Sequence, residues 1–272
     1  MESIRRSPIS KAITILLMSV VAFDLMSVAV RLLGEKFPIL QISVLRNFFG
    51  IIPALILLML GPGLSALKRV KDPTSWKIIL IRSAAILVAQ LAYYTALTKI
   101  EFATAATLSY TSPIFVTLLS IPLLGHHIGY VRFSAVAIGF LGVVSIFKPF
   151  SDDFTFWIFL PVVAGFGYGL SSVLEKLLPD EVPSAAIQIT QQVITLLIGA
   201  CFLIIYGDFV TIVSMGDLFY FLLMGFCGGF GVLCLIMSYR LVDPSSISVF
   251  EYFGIPISFF MGWLFFKEMP IS

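Results

Sequence analysis

Four ionisable side chains sit inside otherwise apolar stretches of this chain. Glu251 interrupts "VFEYFGIPISFF" (249–260), Asp24 interrupts "VAFDLMSVAV" (21–30), and Arg46 and Arg82 lie within the second and third apolar runs. An acidic group at the centre of a bilayer-spanning helix costs about 2.5–3.5 kcal/mol, so such residues face the bundle interior and mark pathways or sites. An interior carboxyl group can hold a substrate cation or carry a proton. Glu251 also stands about one turn before Pro256, which removes a backbone hydrogen bond and kinks the helix beside it. The plainer alternative is that Glu251 pairs with Arg46, Arg82 or a tyrosine hydroxyl and locks helices together. Asp24 likewise has a cavity-facing reading and an interhelical one. Arg82, one to two turns into its run, is long enough to snorkel to the interface.

The elements that carry these residues are membrane helices. The chain has 272 residues, of which 59% are hydrophobic and 12% charged, with mean hydropathy +1.06. Soluble domains carry about 25% charged residues, so this composition excludes a soluble protein. A net charge of +2 is too small to suggest nucleic acid, and no nucleic-acid partner is expected. Apolar runs of spanning length recur near 12–33, 38–60, 75–98, 102–124, 129–147, 154–177, 183–205, 217–241 and 245–266. Backbone groups in lipid must be paired within the segment, so all are predicted α-helical. Short breaks such as "GEKFP", "LGHHIG" and "LLPDEVP" make neighbours antiparallel. The basic start, "MESIRRSPISK", reads as the flank of a first membrane helix and not as a cleaved signal peptide. Ten Lys and Arg residues fall on the N-terminal side of these helices and five on the other, which predicts a cytoplasmic N-terminus.

The chain also aligns with itself. A shift of 145 places Arg31 on Lys176, Glu35 on Asp180 and Pro38 on Pro183; a shift of 143 places Pro113 on Pro256. Helices one to four thus match six to nine. A unit of five helices is odd, so the second copy would enter the membrane inverted, an arrangement found in secondary transporters with a site near the midplane. The predicted halves are residues 1–150 and 151–272. In this alignment Asp24 meets Gly169 and Arg46 meets Gln191. Helix five has no counterpart, so a tenth helix is expected and a truncated chain with it; a natural nine-helix protein is the alternative.

The pattern resembles the drug/metabolite transporter superfamily in its EamA-type branch. The likeness rests on "LRNFFG" (45–50), on "YYTALTKIEFATAATLSYTSPIFVTLLSIPLLG" (93–125) and on its echo "SYRLVDPSSISVFEYFGIPISFFMGWLFFKE" (238–268). Gly125-His126 departs from the Gly-Glu that usually closes the first repeat of that family. The resemblance implies a ten-helix inverted-repeat fold and a carrier of amino acids, purines, vitamins, S-adenosylmethionine or similar metabolites. It also implies a bacterial inner-membrane location, and a structural or gating role for Arg46.

Polar and aromatic residues at helical spacing complete the candidate cavity. They are Gln90, Tyr93 and Tyr94, then Ser109, Tyr110 and Thr111, then Tyr168, Ser171 and Ser172, and finally Tyr252. Rings with a polar tip suit an amphipathic metabolite. For each tyrosine, ordinary packing is the competing reading. Pro113 and Pro256 are read as structural or gating elements. Gly165/Gly169 and Gly225/Gly229 permit close helix approach, or sliding faces. Cys201, Cys227 and Cys234 read as small packing residues. His126 and His127 share one loop, and neither a metal, a cofactor nor a catalytic residue is expected. No His-Glu-x-x-His or Gly-x-Ser-x-Gly motif occurs. The leading expectation is therefore an alternating-access carrier of a small metabolite such as an amino acid, driven by protons or by exchange. A non-transporting scaffold and an intramembrane enzyme are the alternatives, and a homodimer is compatible with either a carrier or a scaffold.

Overall fold

The computed structural model describes residues 8–125, 134, 138 and 155–268. The described residues form helices and turns, with no strand among them. Among the described residues, eight stretches are long and apolar enough to cross a membrane. They match eight of the nine runs read from sequence; the run at 129–147, apart from residues 134 and 138, and both histidines lie outside the described residues. The chain is an all-α integral membrane protein.

The first half contains α1 (Pro8–Gly34), α2 (Ile39–Leu60), α3 (Pro73–Lys99), α4 (Phe102–Ser109) and α5 (Ser112–Leu124). The second contains α6 (Phe159–Glu175), α7 (Ser184–Tyr206), α8 (Met215–Leu241), α9 (Pro244–Ile247) and α10 (Gly254–Phe266). Local chemistry sets several starts. Asp72 caps α3 by accepting from the amides of Thr74 and Ser75, both at 3.1 Å, and Pro73 follows at a position that needs no donor. Ser214 caps α8 in the same way through the Gly216 amide at 3.2 Å.

Two of the expected continuous helices are broken. The run at 102–124 divides at Tyr110–Thr111, just before Pro113, whose missing N–H cannot bond the Ser109 carbonyl. The run at 245–266 divides into α9, a tighter 3₁₀ segment (Ser248–Phe253) and α10, with Pro256 just past the break. The breaks lie against each other: a side chain at Gly254 would run into the Tyr110 hydroxyl and ring.

Packing is closest where small residues meet. A side chain at Gly225 would strike Phe49, and one at Gly229 would strike the Gly50 backbone, which brings α8 down onto α2. Gly165 and Gly169 do the same for α6 against Thr111 and Phe115. The largest helix contacts are α1 with α8, α2 with α8 and α7, and α3 with α6.

Polar ties hold the two ends. Where α1 begins, Ser238 Oγ donates to the Ala12 carbonyl at 2.8 Å, and Arg240 donates to the carbonyls of Val182 and Pro179. Where α1 finishes, Arg31 meets Glu268 at 2.7 Å and donates to the Ile100 carbonyl at 2.9 Å. Nearby, Lys36 Nζ meets Asp217 at 2.8 Å. That hydrogen bond first, and the Asp217 charge second, raises the pKa of the Lys36 ammonium.

The cap of α10 carries a strained residue. Lys267 has φ 55°, a left-handed conformation that Gly125 (φ 68°) occupies at the end of α5. A side chain there costs roughly 1–2 kcal/mol. Lys267→Gly is expected to stabilise the protein by about 1 kcal/mol, read as a raised unfolding midpoint in detergent. An unchanged or lowered midpoint would contradict this.

Candidate functional site

The interior holds a cavity of about 110 Å³ between α1, α2, α3, α6, α8 and the two helix breaks. A water occupies roughly 10–15 Å³ on this measure, so there is room for several waters or for much of a small metabolite. Most of the residues singled out from sequence meet here. Asp24, Glu251, Gln90 and Tyr94 line the cavity, as do Tyr110, Tyr168 and Ser172. Arg46 and Arg82 line it as well. Tyr252 is not among the lining residues. In the 3₁₀ turn, neighbouring side chains point about 120° apart, so turning Glu251 inward turns Tyr252 away.

Each acid reaches the cavity from a different element. Asp24 sits mid-way along α1, is 2% exposed, and accepts from the Tyr110 hydroxyl at 3.4 Å. Tyr110 comes from the first break. Glu251 comes from the second break and accepts from the Tyr239 hydroxyl. Of the pairings weighed for Glu251, the tyrosine is the one present. Neither acid forms an ion pair among the described residues.

The guanidinium groups differ in their surroundings. Arg82 does not snorkel: it is 3% exposed, donates from Nε to the Ser171 carbonyl at 3.0 Å, and meets Glu175 at 3.0 Å. Glu175 is 1% exposed, and the sequence reading passed over it because it adjoins Lys176 at a helix end. Its spacing was the signal: Tyr168, Ser171, Ser172 and Glu175 fall on one helical face. Arg46 donates to the Gly228 carbonyl at 3.0 Å and to Asn47 Oδ1 at 3.2 Å. Asn47 and Ser43 in turn hold Gln90 Oε1 at 3.0 and 3.2 Å. Tyr239, Asn47 and Ser43 were likewise not anticipated.

The wall is rounded out by hydroxyls. Tyr93 and Ser27 share a hydrogen bond at 3.1 Å, and Tyr94 Oη lies 3.7 Å from Met26 Sδ. Among the described residues the cavity offers two acids without cationic ion-pair partners, a guanidinium without a carboxylate partner, and several tyrosine rings. That set suits a polar organic molecule with an apolar or planar part. No cluster of three metal-ligating side chains occurs among the described residues.

Comparison with known proteins places the chain. Residues 10–148 match the family described as the EamA-like transporter family. The chain is 22% identical over 255 residues to the S-adenosylmethionine uptake transporter of Rickettsia prowazekii, covering 93% of this chain and 84% of that protein. It is 28% identical over 179 residues to a riboflavin transporter of Rhizobium johnstonii, covering 66% of this chain and 59% of that protein. The match therefore spans less than two thirds of that relative's length. It is 24% identical to the pseudopaline exporter CntI of Pseudomonas aeruginosa, covering 91% and 85%. A solved crystal structure shares the fold with TM-score 0.75 at 18% identity, over 97% of this chain and 91% of that one.

Proposed function

Because the chain belongs to the EamA-like transporter family, we propose that it is a secondary carrier that moves a small polar metabolite by alternating access. The observation that carries this reading is the central cavity, in which Asp24 and Glu251 are buried with tyrosine hydroxyls and, among the described residues, without an ion-pair partner. A scaffold has no use for two such acids, each costly to hold in a membrane.

The proposed moving parts are the halves 1–150 and 151–272, related as inverted repeats. The packing supports this: α1 against α8 is the counterpart of α6 against α3, and α2 meets its own counterpart α7. Each half contributes one broken helix, and breaks of this kind border the site in inverted-repeat carriers. Asp24, near the middle of α1, is assigned to the substrate cation, and Glu251 to the proton that energises transport. The N-terminus is placed in the cytoplasm, on the Lys and Arg asymmetry, and the protein in a bacterial inner membrane, since the similar proteins come from bacteria. Their names include both uptake and export, so direction is left open.

The test is uptake of labelled amino acids, purines, riboflavin and S-adenosylmethionine into proteoliposomes of the full protein. Saturable uptake of one class, reduced on the order of 100-fold in Asp24→Asn, is expected. Failure of every class to enter above empty liposomes, under either sign of pH gradient, would contradict the reading.

A further inference from the structure

Tyr110 stands where the two helix breaks and the Asp24 carboxyl come together. It is the residue on which α4 ends, at the first break. Its hydroxyl points at both Asp24 oxygens, at 3.5 and 3.4 Å. Hydrogen bonds between oxygens normally span about 2.5–3.0 Å, so this one is long, shared and loosely held. The ring of Tyr110 lies across Gly254, the first residue of α10: a Cβ there would run into the hydroxyl and the ring. A glycine is what lets the second break come this close. Glu251 belongs to the 3₁₀ turn that ends at Gly254.

Packing alone does not call for this arrangement. In the internal alignment Tyr110 meets Phe253 under the shift of 143, and Asp24 meets Gly169 under the shift of 145. Phe253 is 55% exposed. The second half therefore builds its broken helix with neither an acid nor a hydroxyl at these places. The pairing of acid and hydroxyl is particular to the first half, which carries the acid assigned to the substrate.

We propose that Tyr110 is a positioning residue that couples occupation of Asp24 to the orientation of Glu251. Of the charged groups lining the cavity, Asp24, Arg46, Arg82 and Glu251, its hydroxyl bonds Asp24. A cationic group that reaches Asp24 competes with that long bond and displaces it at little cost. The freed ring moves off Gly254. The 3₁₀ turn then has room to rewind and to swing Glu251 away from the Tyr239 hydroxyl. The substrate thus has different contacts in the two states, which is what allows a ligand to shift their balance.

This inference rests on the carrier reading and adds how its two acids communicate. It is tested by the number of protons moved per substrate molecule, in proteoliposomes of the full protein that enclose a pH-sensitive dye and take up a labelled compound identified by uptake. The ratio does not depend on how much of the protein is active. Tyr110→Phe keeps the ring on Gly254 and removes the hydroxyl from Asp24. It is expected to lower the ratio on the order of 10-fold, with an unfolding midpoint close to that of the wild type. Gly254→Ala drives the ring away while leaving both acids intact, and is expected to lower the ratio likewise. Tyr110→Phe adds no atoms, so the test stands even where Gly254→Ala fails to fold. A Tyr110 that only packs or only binds substrate would lose flux at an unchanged ratio, and that result would overturn the proposal. Wild-type uptake that moves no protons would also overturn it and leave the carrier standing. Failure of the wild type to take up any compound would remove the carrier reading and this inference with it.

Discussion

Glu175→Gln is expected to destabilise the protein by about 3–5 kcal/mol, because it strands the Arg82 charge in a buried position. Both side chains are almost fully enclosed and meet at 3.0 Å. The pair ties the end of α6 to the first turns of α3, beside the cavity. Arg82→Ala is expected to cost as much, by stranding Glu175. The joint replacement Arg82→Met with Glu175→Leu is expected to recover most of the loss, since an apolar pair of similar volume avoids both desolvation costs. Unfolding midpoints in detergent and the yield of folded protein in membranes check this. Single variants that melt like the wild type would show that the pair does not form.

Glu251→Gln is expected to abolish accumulation driven by a pH gradient, a loss on the order of 100-fold or more, while leaving substrate binding in place. Glutamine keeps an acceptor for the Tyr239 hydroxyl, so the second helix break retains its packing. What it removes is the capacity to take and release a proton. Asp24→Asn serves as the contrast, with loss of binding as well as of transport. Unchanged gradient-driven accumulation in Glu251→Gln would make Glu251 a helix lock and pass the coupling role elsewhere. The two acids are separated by their elements: one stands on an unbroken helix, the other on a 3₁₀ turn that a small rearrangement can redirect.

Much of this architecture is legible in composition and periodicity. Backbone pairing in lipid leaves helices as the form for such apolar runs, so α1, α2, α3, α7 and α8 fall close to their expected bounds. The breaks at Tyr110–Thr111 and Ser248–Phe253 are not legible in the same way. Pro113 and Pro256 mark them, but a proline specifies only the lost hydrogen bond and not whether the helix bends or stops. Asp24, Glu251, Gln90 and Tyr94 could be assigned to the interior because polar groups at helix centres have no other tolerable place. Tyr252 could not be told from Glu251, since they are neighbours and only the turn geometry separates their directions. Glu175 was hidden by its flank: an acid next to Lys176 and a Leu-Leu-Pro turn looks like a solvated end. Burial came from Arg82 in another helix, a partner 93 positions away in the sequence.

The most direct test of the carrier reading is counterflow. Proteoliposomes containing the full protein are preloaded with an unlabelled substrate identified by uptake and diluted into a trace of the labelled compound. Transient accumulation of label above its external concentration, absent from empty liposomes and lost in Asp24→Asn, is the result expected of a site that opens alternately to each side. Label that merely equilibrates, at a rate indifferent to preloading, would contradict alternating access through this cavity.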